Sequence, residues 1–588
     1  MPKVTIDGKE FEAAAGQTII QVALEHGMDI PHFCWHPALT VAGNCRMCLV
    51  EIEKMPKLAI ACSTQIADGM VVKTQSEMAL TGREDVMEFL LVNHPLDCPI
   101  CDEAGQCKLQ DYAFTHSSAE SRFTEEKTHK DKRTPLGPNV LFDAERCISC
   151  SRCIRFATEI ADQPVLTFVQ RGDHVTIESY PANGLDNINS MNVIDLCPVG
   201  ALTSRDFRFK ARVWDMSFTD TICTGCSRNC SIRAGVRNNE VLRLEPRPNP
   251  NVNDYWMCDY GRLNAYPHVN AEDRMQGAKK RLNGALVETS FEDAATIVAE
   301  KLKKYSADEV LLIGSARAPV EDNYLFAKLA LAKFGKKEIL FVPHFEGQDD
   351  RLVLRADKTP NAKGATLVGC YADGAGQKGE KLTHPTLADA LKSGKIKAVY
   401  ALEDDFLASE ELLRAFSKVE FFACHATNAS ATTNRADIVF GVSAWTERQG
   451  TMVNFDGWVQ TLKPSVTTHY TVRGLDHMRM SRLDRFGSPN DSWAHGNRRD
   501  VKESWRITAL IAGFLGLHWQ YKETEDLFEE IAGAIPEFKG MDYDALGDLG
   551  LPLVGKTTEK KQALYHEVYQ GLTEHEESIG TPQLTEQF

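Results

Sequence analysis

Cysteine is concentrated at the front of the chain, and this distribution constrains the fold more than any other feature of the sequence. Fifteen of the seventeen cysteines precede residue 259, and the last 330 residues carry only Cys370 and Cys424. Residues 1–12 read as a hairpin turning at Asp7-Gly8 rather than as a secretory signal, so we expect a reducing compartment. Clustered cysteines in such a compartment are more often metal ligands than disulfides.

Length and composition exclude several classes of protein. A chain of 588 residues is too long for one hydrophobic core, so several domains are expected. Its 43% hydrophobic and 25% charged residues are typical of soluble globular proteins. A net charge of -16 repels phosphate backbones and anionic lipid, so nucleic acid binding and direct membrane binding are disfavoured. The longest apolar segment, residues 507–517, predicts a buried helix rather than a membrane span.

The first cysteine group is a long loop that ends in a tight C-x2-C. Its members are separated by gaps of ten, two and thirteen residues: Cys34, Cys45, Cys48 and Cys62. Gly43 and the tight C-x2-C allow the loop to wrap an inorganic cluster. Structural zinc is the alternative, since four thiolates also suit that metal. The hairpin and the helix predicted at 18–26 make the group resemble a 2Fe-2S ferredoxin loop, with a longer first gap.

The second group, HPLDCPICDEAGQC, combines three cysteines with a histidine: His94, Cys98, Cys101 and Cys107. Three thiolates at this spacing leave one corner of a cubane cluster open. We expect the neutral imidazole of His94 to fill that corner, although a histidine before proline is usually an ordinary loop residue. Imidazole in place of thiolate removes a negative charge, so a higher reduction potential is predicted.

The third group has three close cysteines in ERCISCSRC and a distant one in DLCPVGA: Cys147, Cys150, Cys153 and Cys197. The spacing resembles the bacterial ferredoxin pattern with its two halves pulled apart. In two-cluster ferredoxins the distant cysteine serves the other cluster. This segment has only four cysteines, and they fit one 4Fe-4S cluster.

The fourth group lies in CTGCSRNC and WMCDYGR and follows C-x2-C-x3-C-x27-C: Cys223, Cys226, Cys230 and Cys258. It also supplies four ligands, with zinc as the alternative because this pattern is less diagnostic. With this group, every cysteine of the front part is assigned once. This complete assignment is the strongest argument in the sequence for four separate clusters.

The back of the chain alternates apolar strands with helical patterns. Strands are predicted at 309–313, 338–342, 398–402, 420–424 and 437–442, and helices at 321–334 and 410–416. Such alternation is typical of a mostly parallel sheet covered by helices. In the front, a second helix is predicted at 83–92 and a polar linker at about 112–138.

Several motifs resemble one known family. HPLDCPICDEAGQCKLQD, DLCPVGALTS and the order of the four groups are similar to the large iron-sulfur subunit of bacterial NADH-quinone oxidoreductase, respiratory complex I. This resemblance covers residues 1 to about 265. LRADKTPN at 354–361 and TERQGTMVNFDGWVQ at 446–460 resemble the molybdopterin-oxidoreductase-like domain of that family.

The resemblance implies a multidomain α+β and α/β fold with five parts. These are a 2Fe-2S ferredoxin-like (β-grasp) domain at 1–78, a His/Cys-ligated 4Fe-4S segment at 79–138, a 4Fe-4S ferredoxin-like domain at 139–214, an additional 4Fe-4S domain at 215–270, and a molybdopterin-oxidoreductase-like α/β domain without molybdenum at 271–588.

The same resemblance implies an electron carrier without catalytic residues of its own. One 2Fe-2S cluster and three 4Fe-4S clusters, one of them with a histidine ligand, would relay electrons from an NADH/FMN subunit toward quinone. The fourth cluster would lie off the main route. The implied partners are the NADH/FMN subunit and the quinone-side iron-sulfur subunits of the peripheral arm, and the implied location is peripheral, on the cytoplasmic side of the inner membrane.

Other classes of protein share parts of this pattern. The alpha subunit of an NAD-linked molybdenum formate dehydrogenase needs a cysteine or selenocysteine metal ligand. Cys424-His425 resembles such a pair, but a core thiol is favoured, and Tyr260 stands where catalytic relatives tend to carry lysine. An iron-only hydrogenase needs further cysteines. A GxGxxG at Gly374, Gly376 and Gly379 is a weak dinucleotide signal, and a non-catalytic scaffold is the favoured interpretation of 271–588.

Overall fold

A computed structural model describes residues 1–118, 121–374, 386–408, 410–471, 478–479 and 498–556. These residues form two compact units, Met1–Asp215 and a second unit that begins at Met216. No helix in the described ranges is long and apolar enough to cross a lipid bilayer.

The described part of the first unit contains ten strands and five helices. The strands are β1 (Lys3–Ile6), β2 (Lys9–Glu12), β3 (Leu49–Ile52), β4 (Ala59–Ile60), β5 (Met70–Lys73), β6 (Thr134–Pro135), β7 (Val140–Phe142), β8 (Leu166–Val169), β9 (Thr176–Ser179) and β10 (Leu202–Ser204). The helices are α1 (Ile19–Glu25), α2 (Glu77–Val92), α3 (Lys108–His116), α4 (Arg152–Arg155) and α5 (Asn192–Leu196).

A five-stranded sheet in the order β2-β1-β5-β3-β4 opens this unit. β1 pairs antiparallel with β2 and parallel with β5. The hairpin turns at Asp7 and Gly8, whose φ angles of 46° and 82° are those of a tight left-handed turn. A capping box between Thr18 and Gln21 starts α1, which packs four apolar side chains into the core. The predicted hairpin, helix and β-grasp frame are confirmed.

Residues beyond this sheet form shorter elements. β10, β7 and β6 make a three-stranded sheet, and β8 pairs with β9. α2 begins earlier than the predicted 83–92 because Ser76 caps it, accepting a hydrogen bond from the Ala79 amide. The predicted linker at 112–138 is partly wrong, since α3 covers its start.

The second unit contains, over its described residues, fifteen strands and ten helices. The strands are β11 (Ser217–Ile222), β12 (Ser231–Arg237), β13 (Glu240–Pro246), β14 (Ala278–Leu282), β15 (Ala285–Thr289), β16 (Val310–Ile313), β17 (Ile339–Phe341), β18 (Cys370–Ala372), β19 (Ala398–Ala401), β20 (Phe421–Ala426), β21 (Ile438–Gly441), β22 (Gly450–Val453), β23 (Trp458–Leu462), β24 (Met478–Arg479) and β25 (Leu551–Pro552). The helices are α6 (Asp259–Asn264), α7 (Pro267–Asn270), α8 (Phe291–Leu302), α9 (Val320–Phe334), α10 (Ala362–Leu367), α11 (Leu387–Lys392), α12 (Glu410–Ala415), α13 (Ser504–Phe514), α14 (Thr524–Ala534) and α15 (Tyr543–Leu546).

An eight-stranded sheet in the order β15-β14-β21-β20-β19-β16-β17-β18 forms the centre of this unit. β16 to β21 run parallel, as predicted from their alternation with helices. Alternate residues of β16 point to opposite faces: Leu312 packs with α8, α9 and α13, whereas Ile313 packs on the side of α11. The antiparallel β14-β15 hairpin and β18 extend the sheet beyond the predicted strands.

Two smaller sheets complete the second unit. β13, β12, β11 and β24 form one, and β22, β23 and β25 form the other. Of the GxGxxG motif, Gly376 and Gly379 lie outside the described residues. α13 is buried on one side through Ile507 and Ile511, which agrees with the helix predicted for this apolar segment. The multidomain α+β and α/β fold class is therefore confirmed.

Candidate functional site

The sixteen predicted ligands fall into three groups in the first unit and one in the second. All seventeen cysteines are free thiols. Within the described ranges, no three His, Cys, Asp or Glu side chains converge closely enough to hold a single metal ion. The fit of each group to a cluster therefore has to be judged from its own contacts.

The first group is assembled by the β-grasp frame. Cys48 directly precedes β3 and Cys62 follows β4, so the pairing of these strands brings the two residues together. A backbone hydrogen bond of 2.9 Å from the Ala61 amide to the Cys48 carbonyl fixes them. The Cys34 amide donates to the Cys45 sulfur over 3.4 Å. Three of these four cysteines are buried, and Cys45 is half-buried.

Sulfur-to-sulfur hydrogen bonds join all four thiols of the first group. Bonds from Cys45 and Cys62 lower the pKa of Cys34 well below the usual thiol range. A bond with Cys62 likewise lowers the pKa of Cys48. The partners that keep their protons, Cys45 and Cys62, have raised pKa values. The four thiols are therefore neighbours, as one shared cluster requires.

The second group lies between α2 and α3. Cys98 starts a 3₁₀ turn and is exposed, whereas Cys101 and Cys107 are each 8% exposed. Burial raises the pKa of both buried thiols, and the charge of Arg146 opposes this rise at Cys101. Burial, followed by the charges of Arg146 and Lys127, lowers the pKa of His94 to about 4. Its ring is neutral at pH 7, the form that can ligate a metal.

Arg146 links His94 to the cysteines of its group electrostatically. Its guanidinium lies 2.9 Å from the Asp97 carboxylate, next to Cys98. It also acts on the pKa of both His94 and Cys101. The described contacts include no direct one between His94 and a cysteine sulfur, so ligation by His94 stays a prediction.

The third group is brought together by tertiary structure. Cys153 lies in α4, and Cys197 directly follows α5. The pKa of Cys197 is raised well above the usual value by burial first, and then by Cys150, Cys147 and Cys153. All four thiols therefore lie within electrostatic reach of each other despite the 43 residues between Cys153 and Cys197.

Left-handed backbone residues separate the three close cysteines of this group. Ser149 and Ser151 have φ angles of 53° and 62°. The Ser149 amide donates to the Cys147 sulfur over 3.4 Å. Burial raises the pKa of Cys147 to about 11 and those of Cys150 and Cys153 above the usual value.

The second and third groups meet at the segment that follows Cys197. Lys108, the residue after Cys107, donates its amide to the Pro198 carbonyl over 3.2 Å. A Cβ atom on Gly200 would lie 2.2 Å from the Cys101 sulfur, a clash that only glycine avoids. Residues 197–200 therefore connect a ligand of one group to the ligands of the other.

The first and third groups meet through two arginines of α4. Arg155 donates from Nη2 to the carbonyl oxygens of Cys34 and Cys150. Arg152 donates to the Trp35 carbonyl and, over 3.3 Å, to the Leu196 carbonyl. The loop of the first group is thus fixed to the loop of the third.

The fourth group lies where β11, β12 and α6 meet in the second unit. Its four cysteines are each 4 to 5% exposed: Cys223, Cys226, Cys230 and Cys258. The Cys223 amide donates to the Cys230 carbonyl over 2.9 Å. Burial, with the neighbouring Cys226 second, raises the pKa of Cys258 to about 12. Burial also raises the pKa of Cys223 and Cys230.

Two glycines form a cradle around this fourth group. The Gly225 amide donates to the Cys223 sulfur over 3.4 Å, and the Gly261 amide to the Cys258 sulfur over 3.3 Å. A Cβ on Gly261 would lie 3.2 Å from the Cys223 sulfur. Amides thus donate to cysteine sulfur in the first, third and fourth groups, which fits iron-sulfur sites, where such bonds tune the potential.

Sequence reasoning missed the residues that join the groups. Gly200 lies inside the quoted DLCPVGA, and its intolerance of a larger side chain follows only from the position of Cys101. Arg152 and Arg155 lie inside and just after ERCISCSRC. A basic residue between closely spaced cysteines is a weak signal, because it does not say which other loop the arginine reaches.

Five family models match the chain in the order that the four groups suggest. They are a 2Fe-2S iron-sulfur cluster binding domain at 2–77, an NADH-ubiquinone oxidoreductase-G iron-sulfur binding region at 83–122, an NADH-quinone oxidoreductase subunit 3 ferredoxin-like domain at 137–203, a molybdopterin oxidoreductase Fe4S4 domain at 216–270 and a molybdopterin oxidoreductase domain at 356–474. Fold and matches together define a multidomain protein with 2Fe-2S and 4Fe-4S binding domains.

Curated relatives make the resemblance more specific. The chain is 42% identical over 336 residues to the G subunit of NADH-quinone oxidoreductase from Rickettsia conorii, covering 57% of this chain and 49% of the relative. It is 40% identical over 337 residues to the mitochondrial NADH dehydrogenase (ubiquinone) iron-sulfur protein 1 of Solanum tuberosum, covering 57% and 45%. The resemblance to the large iron-sulfur subunit is confirmed, and the chain spans about half the length of these relatives.

Solved structures add little. The chain matches an NAD+-reducing NiFe-hydrogenase in its H2-reduced state at 28% identity and a TM-score of 0.33, covering 36% of this chain and 91% of that one. It matches acetylene hydratase from Pelobacter acetylenicus at 11% identity and a TM-score of 0.36, covering 57% and 74%. Scores this low carry no argument about function.

Proposed function

We propose that the chain is the electron-transfer iron-sulfur subunit of an NADH-quinone oxidoreductase. It would take electrons from an NADH-oxidising flavin subunit and pass them toward quinone. The observation that carries this proposal is the series of direct contacts that joins the first, third and second groups. A series of redox centres conducts only if neighbouring centres are close, and the loops of these three groups touch.

The cofactors of this proposal are one 2Fe-2S cluster and three 4Fe-4S clusters. The 2Fe-2S ligands are Cys34, Cys45, Cys48 and Cys62. The ligands of the three 4Fe-4S clusters are His94, Cys98, Cys101 and Cys107, then Cys147, Cys150, Cys153 and Cys197, then Cys223, Cys226, Cys230 and Cys258. The bound clusters would supply one-electron oxidation and reduction. The protein excludes water around the thiols and donates amide hydrogen bonds to sulfur.

The route within the first unit follows its contacts. Arg155 and Arg152 connect the loop of the first group to that of the third, and residues 197–200 connect the third group to the second. Cys98 is the exposed ligand residue at the far end of this series. The proposed order is therefore the first group, then the third, then the second.

For the back of the second unit we propose a scaffold without molybdenum. The strand order reverses between β16 and β19, where open α/β sheets commonly bind ligands. Arg448 occupies this position, 2.5 Å from the Glu403 carboxylate and 3.3 Å from that of Asp322. Ser504 donates to Glu403 over 2.6 Å. Side chains of the chain itself therefore occupy this position with a buried ion pair, which supports a scaffold.

The residues that bear on the question of molybdenum catalysis have ordinary structural partners. Cys424 and His425 are each 1% exposed on β20. His425 Nε2 lies 2.7 Å from the Tyr400 hydroxyl. Tyr260 donates to Glu346 over 3.1 Å, and its ring lies 4.0 Å from the Lys358 ammonium. These contacts support the core-thiol interpretation over the formate dehydrogenase alternative.

The proposed assembly follows from the function. The partners are the NADH/FMN subunit and the quinone-side iron-sulfur subunits. The chain would be a peripheral part of this membrane-associated complex, on the cytoplasmic side of the inner membrane. The chain would divide into five parts, with boundaries after residues 78, 138, 214 and 270.

Metal analysis and low-temperature EPR of the reduced, anaerobically purified chain test the cofactor assignment. We expect one 2Fe-2S signal and three 4Fe-4S signals. Cys62→Ala should remove the 2Fe-2S signal alone. Cys370→Ala is the matched control, because Cys370 is also buried but belongs to no group, and it should leave all four signals. A colourless, zinc-loaded chain would overturn the proposal. Reduction by NADH should require added flavin subunit.

A further inference from the structure

Arg155 lies between the first and third groups and contacts a cysteine residue of each. Its Nη2 donates to the Cys34 carbonyl and, over 3.4 Å, to the Cys150 carbonyl. Nη1 donates to the Thr40 carbonyl in the loop of the first group, and Nε donates to Ser151 Oγ over 3.2 Å. One guanidinium therefore spans both ligand loops.

All of these acceptors are neutral. Among the described residues no carboxylate lies within ion-pairing distance of Arg155. Glu159, the nearest acid along the chain, accepts from the Thr40 amide over 2.9 Å and acts on Arg155 only at longer range. Burial lowers the pKa of Arg155, while Cys150 and Cys34 oppose that shift, which is the electrostatic sign of a cation near both thiols. Arginine remains charged in proteins.

The arginine at the other junction differs in this respect. Arg146 lies beside the second and third groups, but its guanidinium is 2.9 Å from Asp97 and 3.4 Å from Asp143. Two carboxylates thus offset its charge. The junction of the first and third groups instead holds a cation without a direct ion pair among the described residues.

A cation without an ion-pair partner has a defined effect on thiolate-ligated clusters. Such clusters carry net negative charge, and reduction adds one more negative charge. A buried cation interacts strongly with that added charge because the surrounding dielectric is low. It stabilises the reduced form, and the reduction potential rises.

We propose that Arg155 is a positioning residue shared by the first and third groups, which raises the reduction potentials of both clusters together. This inference rests on the proposed cluster occupancy of these groups. It adds that the two potentials are coupled through one side chain, so that they shift together when its charge is removed.

Redox titration of the anaerobic full-length chain, followed by EPR, tests the inference. Arg155→Gln keeps hydrogen-bond donors but removes the charge, and both the 2Fe-2S potential and that of the third group should shift downward. Arg155→Lys keeps the charge, and both potentials should stay near those of the parent chain. The clusters of the second and fourth groups should not shift in either variant.

Arg205→Gln is the matched control, since Arg205 is an exposed arginine of the same unit whose side chain hydrogen-bonds only the Pro138 carbonyl among the described residues. The cluster potentials of Arg205→Gln should equal those of the parent chain.

If Arg155→Gln loses a cluster, Ser151→Asp provides the second test, because an aspartate beside Nε would neutralise Arg155 in place. The 2Fe-2S potential should then fall together with that of the third group.

The outcomes separate this inference from the function that it assumes. A parent chain without iron refutes the proposed function. A parent chain with all four clusters whose potentials are unchanged in Arg155→Gln refutes only the role of Arg155. A shift confined to one cluster, in Arg155→Gln or in Ser151→Asp, also overturns the inference, and so does an equal downward shift in Arg155→Lys.

Discussion

At the scale of single residues, the environment of His94 agrees with the role that its spacing predicts. A metal-ligating histidine must be neutral, and burial lowers the pKa of His94 to about 4. The flanking Arg146 and Lys127 act in the same direction. His94 thus has the neutral ring that a metal ligand requires.

Replacement of His94 by cysteine tests this ligand directly. His94→Cys should retain the 4Fe-4S cluster of the second group and lower its potential, because thiolate adds a negative charge where imidazole had none. EPR-monitored redox titration measures the shift. His174→Cys, a change at a histidine whose side chain is 65% exposed, is the control and should leave every potential unchanged. An unshifted second-group potential in His94→Cys would count against imidazole ligation.

Glu321 illustrates a different residue-scale effect, in which burial couples stability to pH. Its carboxylate accepts hydrogen bonds from the Thr451 amide and from the Tyr543 hydroxyl, each over 2.9 Å. Burial nevertheless raises its pKa from 4.5 to about 7. The folded state therefore keeps a proton that the unfolded state releases between these pH values. Stability falls as pH rises through this window, by about 3 kcal/mol.

Glu321→Gln should remove this loss, since an amide is neutral at every pH and can serve the same partners. In urea unfolding followed by tryptophan fluorescence, the variant should match the parent near pH 4.5 and be more stable at pH 7.5. Glu529→Gln, at an exposed position of α14, should follow the parent at both. Equal urea midpoints of Glu321→Gln and the parent at pH 7.5 would show that burial does not raise the pKa of Glu321.

At the scale of elements, residues 197–200 are a tightly constrained connection in the first unit. Cys197 belongs to the third group, and Gly200 packs against the Cys101 sulfur of the second. The Cys197 thiol donates to the Val199 carbonyl over 2.9 Å, which holds the turn closed. A single short segment therefore sets the geometry of two groups.

Gly200→Ala should disrupt the second group, because its Cβ would lie 2.2 Å from the Cys101 sulfur. Spin quantification by EPR should show loss of the second-group cluster, a weaker effect on the third and an intact 2Fe-2S signal. Gly513→Ala, in α13 with no atom within 4 Å of the added Cβ, is the matched control and should leave all signals unchanged. Full occupancy of the second group in Gly200→Ala would contradict this packing.

At the scale of the whole molecule, the boundary at residue 215 separates the groups. The first three groups and the contacts that join them lie within Met1–Asp215, and the fourth lies in the unit that begins at Met216. The described contacts that hold the first three groups are therefore made within Met1–Asp215.

A fragment of residues 1–215 should consequently load the 2Fe-2S cluster and two 4Fe-4S clusters. Anaerobic purification with iron and sulfide analysis and EPR provides the measurement, with the full-length chain prepared in parallel as the control. One 4Fe-4S signal, that of the fourth group, should be missing from the fragment. A fragment recovered without iron, beside a loaded full-length chain, would show that the first unit is not independent.

Local features of the fold and site were predictable because they depend on neighbouring residues. The hairpin at Asp7-Gly8, the Thr18 cap and the close cysteine triplets follow from turn chemistry, capping and spacing over a few positions. The parallel strands followed from apolar runs alternating with helical periods. The β14-β15 hairpin escaped prediction because its strands are charged and half-buried, with no clear alternation.

The amino-acid sequence by itself determined which atoms are available for metal binding and how they are grouped, since ligand type and spacing are properties of the chain. Only the tertiary structure decided that Gly200 meets Cys101 and that Arg155 reaches two ligand loops. The physical reason is that these contacts arise from the packing of separate elements against each other, which local periodicity does not encode.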